Sequence, residues 1–123
     1  MRIKFRIWCR DDKNFSYWGF IDNGFNCIPT GRGFSLSEAQ ELSEQYTGLK
    51  DKNGVEIWEG DIITSKEHNP SAFVVEFIDG GFCCTHGDES YPTDINHFYS
   101  SVGCCIEVIG NIHDNPELLE GGR

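Results

Sequence analysis

Six cysteines and four histidines are the residues of this sequence with the highest affinity for transition metals. Zinc sites usually place two cysteines about two to four residues apart, so that a tight turn aims both thiolates at one ion. Here the cysteines instead form the adjacent pairs Cys83-Cys84 and Cys104-Cys105, and neighbours on a strand point to opposite faces. We predict no metal site and no cofactor, with one cysteine of each pair buried as a small apolar residue. The alternative is a site made by Cys84, His86 and one cysteine of the second pair.

Neighbouring carboxylates are the second group of residues with the types needed for chemistry. Glu59 with Asp61, and Asp88 with Glu89, have the types required for general acid–base catalysis. Catalytic carboxylates usually lie in desolvated sites, and nothing in these loop segments indicates desolvation. The histidines are scattered and lie in no nucleophile signature. We therefore predict that the protein is not an enzyme.

Cations and aromatic rings are concentrated near the N-terminus. Small β-sheets that bind single-stranded nucleic acid combine positive charge with rings on which bases stack, so this segment supports an alternative function. Alternation along a strand places Arg6 and Trp8 on one face, with the guanidinium near the indole ring. The residues concerned are Arg2, Lys4, Arg6, Trp8, Arg10, Lys13, Phe15, Tyr17, Trp18 and Phe20.

The net charge of −10 is unevenly distributed along the chain. Residues 1–50 carry seven basic and six acidic groups, whereas residues 51–123 carry three basic and fourteen acidic groups. Such a field repels phosphate backbones and attracts cationic partners, which disfavours nucleic acid and favours a basic protein. Surface acids that only maintain solubility are the alternative explanation.

Length and composition indicate one soluble domain. A chain of 123 residues with 38% hydrophobic and 13% aromatic content is large enough for one core, so we predict a single domain over residues 1–123. No apolar run approaches the roughly 20 residues of a membrane helix, so we predict no membrane association. The charged start of the chain lacks the apolar core of a secretory signal, and we expect a cytoplasmic protein with reduced cysteines.

Short alternating strands separated by turn residues dominate the sequence. Three segments predict hairpins because Asn and Gly tolerate the backbone of tight turns, namely Asp22-Asn23-Gly24, Asp51-Lys52-Asn53-Gly54 and Asp79-Gly80-Gly81. The fold class predicted from this pattern is mainly β (a β-rich α+β fold). We expect a small antiparallel barrel or a strongly curved sheet.

Helical signals are restricted to two short segments. Ser35 and Glu38 have capping-box spacing and predict a helix over Ser35 to Gln45, with Leu36, Ala39 and Leu42 on one side. Near the end of the chain, Gly110 predicts a bulge in the last strand, and Asn115-Pro116-Glu117 predicts one C-terminal helical turn.

Three segments, in chain order, resemble the YopX family. The central segment is Tyr46-Thr47-Gly48-Leu49-Lys50-Asp51-Lys52-Asn53-Gly54, continuing through Ile57 to Glu59-Gly60-Asp61-Ile62. The flanking segments are Phe5-Arg6 with Trp8, and Glu107-Val108-Ile109-Gly110-Asn111-Ile112 with Asn115-Pro116-Glu117-Leu118-Leu119. The resemblance implies a β-rich protein of phage or prophage origin, in the host cytoplasm. It implies no catalytic residues, because the molecular role of the family is uncharacterised.

Turn chemistry explains most residues of the central segment. Asn53-Gly54 sets the hairpin register, and Gly48 and Gly60 allow tight backbone paths. Asp51 and Asp61 are expected to accept hydrogen bonds from nearby turn amides. Trp58 remains open between a core residue and a partner anchor.

Function is expected to lie in contact rather than in chemistry. We predict a phage or prophage accessory protein that binds a host or phage protein, or self-associates, with its acidic C-terminal part as the steering surface. Aromatic anchors and charged neighbours are the candidate binding residues. They are Arg6, Trp8, Trp58, Glu59, Asp61, Phe73 and Tyr91.

Overall fold

Antiparallel strands make up most of the described chain. A computed structural model describes residues 3–21, 24–28, 35–65, 69–78, 80–86, 93–95 and 105–120. The chain divides into two units, Met1–Tyr46 (the N-terminal unit) and Thr47–Arg123 (the C-terminal unit), and each is considered by itself. The predicted single domain stays a prediction.

Ten strands and two short helices are described. Their bounds are β1 Lys4–Cys9, β2 Asn14–Ile21, β3 Gly24–Asn26, α1 Leu36–Leu42, β4 Glu44–Lys50, β5 Glu56–Trp58, β6 Asp61–Ser65, β7 Asn69–Ile78, β8 Gly81–His86, β9 Thr93–Asp94, β10 Glu107–Asn111 and α2 Glu117–Glu120. The strands form one sheet of order β3-β2-β1-β4-β5 and a second of order β10-β6-β7-β8-β9. The mainly β prediction is confirmed. Neither sheet closes into a barrel among these strands, which leaves the curved-sheet alternative.

Strand alternation organises the N-terminal unit. β1 pairs with β2 along its whole length, from Lys4 opposite Gly19 to Cys9 opposite Asn14. Ile7 and Cys9 are buried on one face of β1, as alternation predicts. Ala39 of α1 is buried as well.

Helix α1 begins as the sequence predicts and ends earlier. Ser35 Oγ accepts a hydrogen bond from the Glu38 amide at 3.2 Å, and Glu38 Oε1 accepts one from the Ser35 amide at 3.0 Å, which confirms the capping box. The helix ends at Leu42 and not at Gln45, because Glu44 and Gln45 pair with β1 instead. Leu36 and Leu42, predicted on the packed side, are exposed.

The apolar core of the C-terminal unit is formed by side chains from both halves of the sequence of that unit. The side chains that form it are Ile57, Ile63, Phe73, Val75, Cys84, Ile95 and Ile106, with Leu49, Phe82 and Val108 packed against them. Alternation places Phe73 and Val75 on the buried face of β7, whereas every residue of β6 is buried.

The predicted hairpins and the bulge are present. Ile21 pairs with Gly24 and Ile78 pairs with Gly81, so β2–β3 and β7–β8 are hairpins with two-residue connections. The connecting residues 22, 23 and 79 lie outside the described residues. The β10–β6 register shifts between Val108 and Gly110, which confirms the predicted bulge. Strand β9 was not predicted, since two residues carry no periodic signal.

Candidate functional site

The turn between β4 and β5 is built around the carboxylate of Asp51, which is only 7% exposed. Its Oδ1 accepts hydrogen bonds from the amides of Asn53 at 2.8 Å and Val55 at 2.9 Å. Its Oδ2 accepts the amide of Val108 in β10 at 2.9 Å. Gly54 donates its amide to the Asp51 carbonyl at 3.0 Å from a left-handed backbone, φ +81°, that glycine adopts without Cβ strain. The prediction that Asp51 accepts hydrogen bonds from turn amides is confirmed. The hydrogen bond from β10 was not part of that prediction.

Asp61 closes the next turn. Its Oδ2 accepts the Trp58 amide at 2.7 Å, and the residue is buried. Gly60, at φ +89°, donates its amide to the Val75 carbonyl at 2.7 Å and accepts the Ile112 amide at 3.0 Å. The Asp61 carboxylate therefore closes the β5–β6 turn, and the Gly60 amide bonds that turn to β7. This structural use counts against Asp61 as half of an acid–base pair with Glu59.

Two of the aromatic residues predicted as partner anchors are buried. Phe73 is part of the apolar core, and Trp58 is 5% exposed. A buried ring offers no surface to a partner, so both are core residues and the alternative of a partner anchor at Trp58 is not supported. Glu59 is half-buried, and Tyr91 lies outside the described residues.

The sheet of order β3-β2-β1-β4-β5, which we call the N-terminal sheet, has cations and aromatic rings together on one face. The register places Lys4 opposite Gly19, Arg6 opposite Tyr17, and Trp8 opposite Phe15, so all of these residues share a face. The Lys4 Nζ lies 4.6 Å from the centroid of the Tyr46 ring. We call this set the cationic–aromatic face, and its members are Lys4, Arg6, Trp8, Phe15, Tyr17 and Tyr46.

The Arg6 side chain is buried within the cationic–aromatic face, where a carboxylate pairs with its charge. It is 5% exposed, and its Nε donates to Glu44 Oε1 at 2.8 Å in a buried ion pair. The guanidinium carbon lies 3.9 Å from the centroid of the Phe15 ring, and the Trp8 ring packs edge-on against Phe15 at 4.9 Å. Sequence reasoning expected the cation beside Trp8. Phe15, which is opposite Trp8 and therefore diagonal to Arg6, supplies the ring beneath the guanidinium, because a diagonal cross-strand neighbour is still within reach of long and aromatic side chains.

The opposite face of the same sheet ends in exposed apolar side chains. The Phe20 amide donates to the Ile3 carbonyl at 3.1 Å, and Phe20 is directly opposite Phe25, with their rings 5.2 Å apart and edge-on. Ile3 is 47% exposed, Phe20 45% and Phe25 60%. We call these three residues the apolar row. They run from Ile3, immediately before β1, across β2 to β3 at the outer edge of the sheet.

Sequence reasoning missed the apolar row as a surface, although the sequence carries a signal for it. Residues 14–28 include five aromatic rings and a single charged residue, Asp22, in a chain that is 24% charged. Depletion of charge together with enrichment in aromatic residues marks the core of a protein interface. Burial could not be read from that segment, because a core strand has the same composition.

The sulfur and imidazole groups do not form a cluster in the part of the chain described. Cys84 is fully buried in the apolar core while its neighbour Cys83 is half-buried, which confirms the prediction for this pair. Cys105 is buried, and Cys104 lies outside the described residues. No group of three or more His, Cys, Asp or Glu side chains suited to a metal ion occurs among the residues that the structure describes. Asp88 and Glu89 lie outside them.

Comparison with known proteins identifies the family. A protein-family model described as "YopX protein" matches residues 4–120. The chain belongs to the YopX family. Nearly the whole chain is covered, so the family assignment includes the Asp51 turn, β10 and both faces of the N-terminal sheet.

A solved structure has a similar fold. The crystal structure of protein EF1440 from Enterococcus faecalis is 32% identical in sequence, with a TM-score of 0.57, over 95% of this chain and 97% of that chain. None of the curated proteins matches the chain. Among the described residues of this YopX-family protein, no helix is both long and apolar enough to span a bilayer.

Proposed function

We propose that this YopX-family chain is a phage or prophage accessory protein, without enzymatic activity, that binds a basic protein in the host cytoplasm through its acidic C-terminal unit. The observation that carries the proposal is the separation of charge between the two units. Residues 1–46 contain six basic and six acidic groups, whereas residues 47–123 contain four basic and fourteen acidic groups. One unit is therefore neutral, and the other carries the entire net charge of −10.

Most of the acidic side chains of this unit whose burial is described are at least partly exposed to solvent. Only Asp51 and Asp61 of the described acids in the C-terminal unit are buried. The other acidic side chains with described burial are partly or fully exposed, namely Glu56, Glu59, Glu76, Asp94, Glu107, Asp114 and Glu117. Charges at a surface steer a cationic partner toward it and accelerate association at low ionic strength.

The ion pair between Lys52 and Glu107 offsets little of this field. The Lys52–Glu107 ion pair has a separation of 3.8 Å, and both side chains are about a third exposed. Such surface pairs are weak and leave the surrounding potential negative.

Binding of single-stranded nucleic acid is the weaker candidate. The cationic–aromatic face has the residue types that this function needs. However, Arg6 is buried against Glu44, and the C-terminal unit repels phosphate. A mobility shift of a single-stranded oligonucleotide at low salt tests it, and retardation at micromolar protein would favour this candidate over the proposed function.

The test of the proposed function is capture from host lysate by the immobilised chain, compared with two charge-neutralised variants. One variant carries Glu56→Gln, Asp114→Asn and Glu117→Gln in the acidic unit. The matched control carries Asp11→Asn, Asp12→Asn and Glu41→Gln in the neutral unit. We expect a basic protein to be captured by the wild-type chain and the control, and much less by the first variant.

Salt provides the second arm of this test. Capture should fall steeply toward about 1 M salt, where the screening length is only about 3 Å. Equal capture by both variants, or capture that is indifferent to salt, would contradict recognition by the acidic unit. Polylysine serves as a defined cationic probe, and its binding should follow the same order.

A further inference from the structure

The apolar row ends at β3, whose outer edge is unpaired among the strands that the structure describes. β3 is the last strand of its sheet, and no strand in the described part of the chain pairs with its outer side. All three of its residues, Gly24, Phe25 and Asn26, are exposed. Exposed edges are usually protected by lysine, proline, a bulge or a covering segment, because their backbone groups are ready to pair with another strand. β3 contains neither lysine nor proline, and its register with β2 is regular.

We propose that two copies of this chain form a homodimer by antiparallel pairing of their β3 edges, with the apolar row at its centre. A two-fold axis through Phe25 places each Phe25 opposite its counterpart and each Gly24 opposite Asn26 of the other copy. Such pairing is self-complementary, as a two-fold interface must be. It extends the sheet and stacks aromatic side chains across the new strand pair.

Charge favours a second copy as the occupant of this edge. Residues 14–28 carry a single charge, and the N-terminal unit has no net charge, so the paired edges themselves add little repulsion between two copies. Contact through the C-terminal units would instead bring two charges of −10 together. The shortness of β3, three residues, limits the pairing and predicts a weak dimer rather than an open fibre.

The first test is sedimentation velocity over a concentration range of about 5 to 200 µM, the range in which small interfaces dissociate. The wild-type chain should shift from monomer to dimer as concentration rises. Phe25→Lys should weaken dimerisation about tenfold or more, as expected for an aromatic at an interface centre. A wild-type chain that stays monomeric throughout, or a dimer that is unchanged by Phe25→Lys, would overturn the proposal.

Phe77→Lys is the matched control. Phe77 is 47% exposed and lies edge-on to its cross-strand neighbour Phe82 at 5.0 Å, which closely matches the geometry of the Phe25–Phe20 pair. Its strand β7 is inside its sheet and has paired strands on both sides. Lysine at Phe77 should therefore leave the dimer intact, and equal loss of dimer in both variants would refute the assignment to the β3 edge. Circular dichroism of both variants verifies folding.

Oxidative cross-linking tests the register independently of any loss of stability. In a Cys27→Ser background, Phe25→Cys places two thiols opposite each other, at the roughly 4.5 to 5.5 Å Cα separation of facing antiparallel residues, which a disulfide spans. Two copies of native Cys27 would be about 13 Å apart along the strands, since each residue adds about 3.3 Å. Phe25→Cys should yield covalent dimer, whereas Phe77→Cys in the same background should not. Similar yields from both would overturn the proposed pairing.

The effect of salt distinguishes dimerisation at the β3 edge from binding of a basic partner by the acidic unit. Dimerisation through an uncharged edge should be unchanged or strengthened by added salt, because salt screens repulsion between the acidic units. Binding of a basic partner should be weakened by the same salt. A dimer that dissociates in salt would contradict the apolar interface and leave partner capture to be judged separately.

Discussion

The carboxylate of Asp51 accepts the backbone amide of Val108 at 2.9 Å, a hydrogen bond between residues 57 apart in the sequence. The same carboxylate accepts the amides of Asn53 and Val55. One side chain thus joins the β4–β5 turn to the last strand, β10. The Lys52 amide, donated to the Ile106 carbonyl at 2.9 Å, reinforces this junction. Two of the sequence segments that mark the YopX family meet here.

We expect Asp51→Asn to destabilise the protein by about 2 to 3 kcal/mol, since hydrogen bonds to charged groups contribute more than neutral ones and an amide nitrogen would face a backbone donor. Urea denaturation measures the change in free energy of unfolding. Exposed Asp114→Asn is the control, with an expected change within about 0.5 kcal/mol. Equal effects of the two substitutions would show that the Asp51 bonds contribute little.

The buried pair of Arg6 and Glu44 gives a second prediction. Their Nε–Oε1 distance is 2.8 Å, and both side chains are less than a tenth exposed. Either Arg6→Met or Glu44→Gln alone should lower the free energy of unfolding by about 3 kcal/mol, because each substitution leaves one buried charge without its opposite charge. Arg6→Met combined with Glu44→Leu should cost less than the sum of the single changes. Strictly additive losses in denaturation curves would contradict direct coupling.

Gly110 is closely packed at the β10 bulge. A Cβ built there would lie 2.5 Å from Asn115 Oδ1, which accepts the Asn111 amide at 3.3 Å. Gly110→Ala should therefore destabilise the protein by about 1 to 3 kcal/mol, the usual cost of overpacking. Gly81→Ala is the control, because a Cβ there meets nothing within 4 Å. Thermal unfolding compares the two, and Asn115→Gly in the Gly110→Ala background should restore part of the lost stability.

The capping box of α1 predicts a pH effect. The hydrogen bonds that Glu38 receives from the Ser35 backbone, and then from its side chain, hold the pKa of the Glu38 carboxyl below its ordinary value. A lowered folded pKa means that the stabilisation is present above the pKa of the unfolded chain and is lost as pH falls through the folded pKa. Glu38→Gln should thus destabilise the protein at neutral pH and have a shrinking effect as pH falls through the carboxyl range.

NMR titration of Glu38 provides the direct measurement of that effect. In Ser35→Ala the pKa of Glu38 should return toward its ordinary value, because the substitution removes the N-cap hydroxyl and loosens the first helical turn. An unchanged Glu38 titration in Ser35→Ala would contradict the capping-box explanation.

Local chemistry in the sequence was sufficient for much of the fold. Turn residues predicted three hairpins, the spacing of Ser35 and Glu38 predicted the start of α1, and Gly110 predicted the bulge. These features depend on residues within a few positions of one another, so the sequence alone specifies them. The turn hydrogen bonds of Asp51 and Asp61 belong to the same class, since their donors are at most four residues away. The bond from Val108 to Asp51, across 57 residues, does not.

Tertiary structure decided everything that depends on distant residues. The end of α1 moved to Leu42 because pairing with β1 outweighs helix propensity for Glu44 and Gln45. Burial separated aromatic residues that look alike in the sequence: Phe73 lies in the core, whereas Phe25 lies at the open edge of its sheet. Whether a strand is central or at an edge depends on its neighbours in space, and alternation along the chain is the same in both cases.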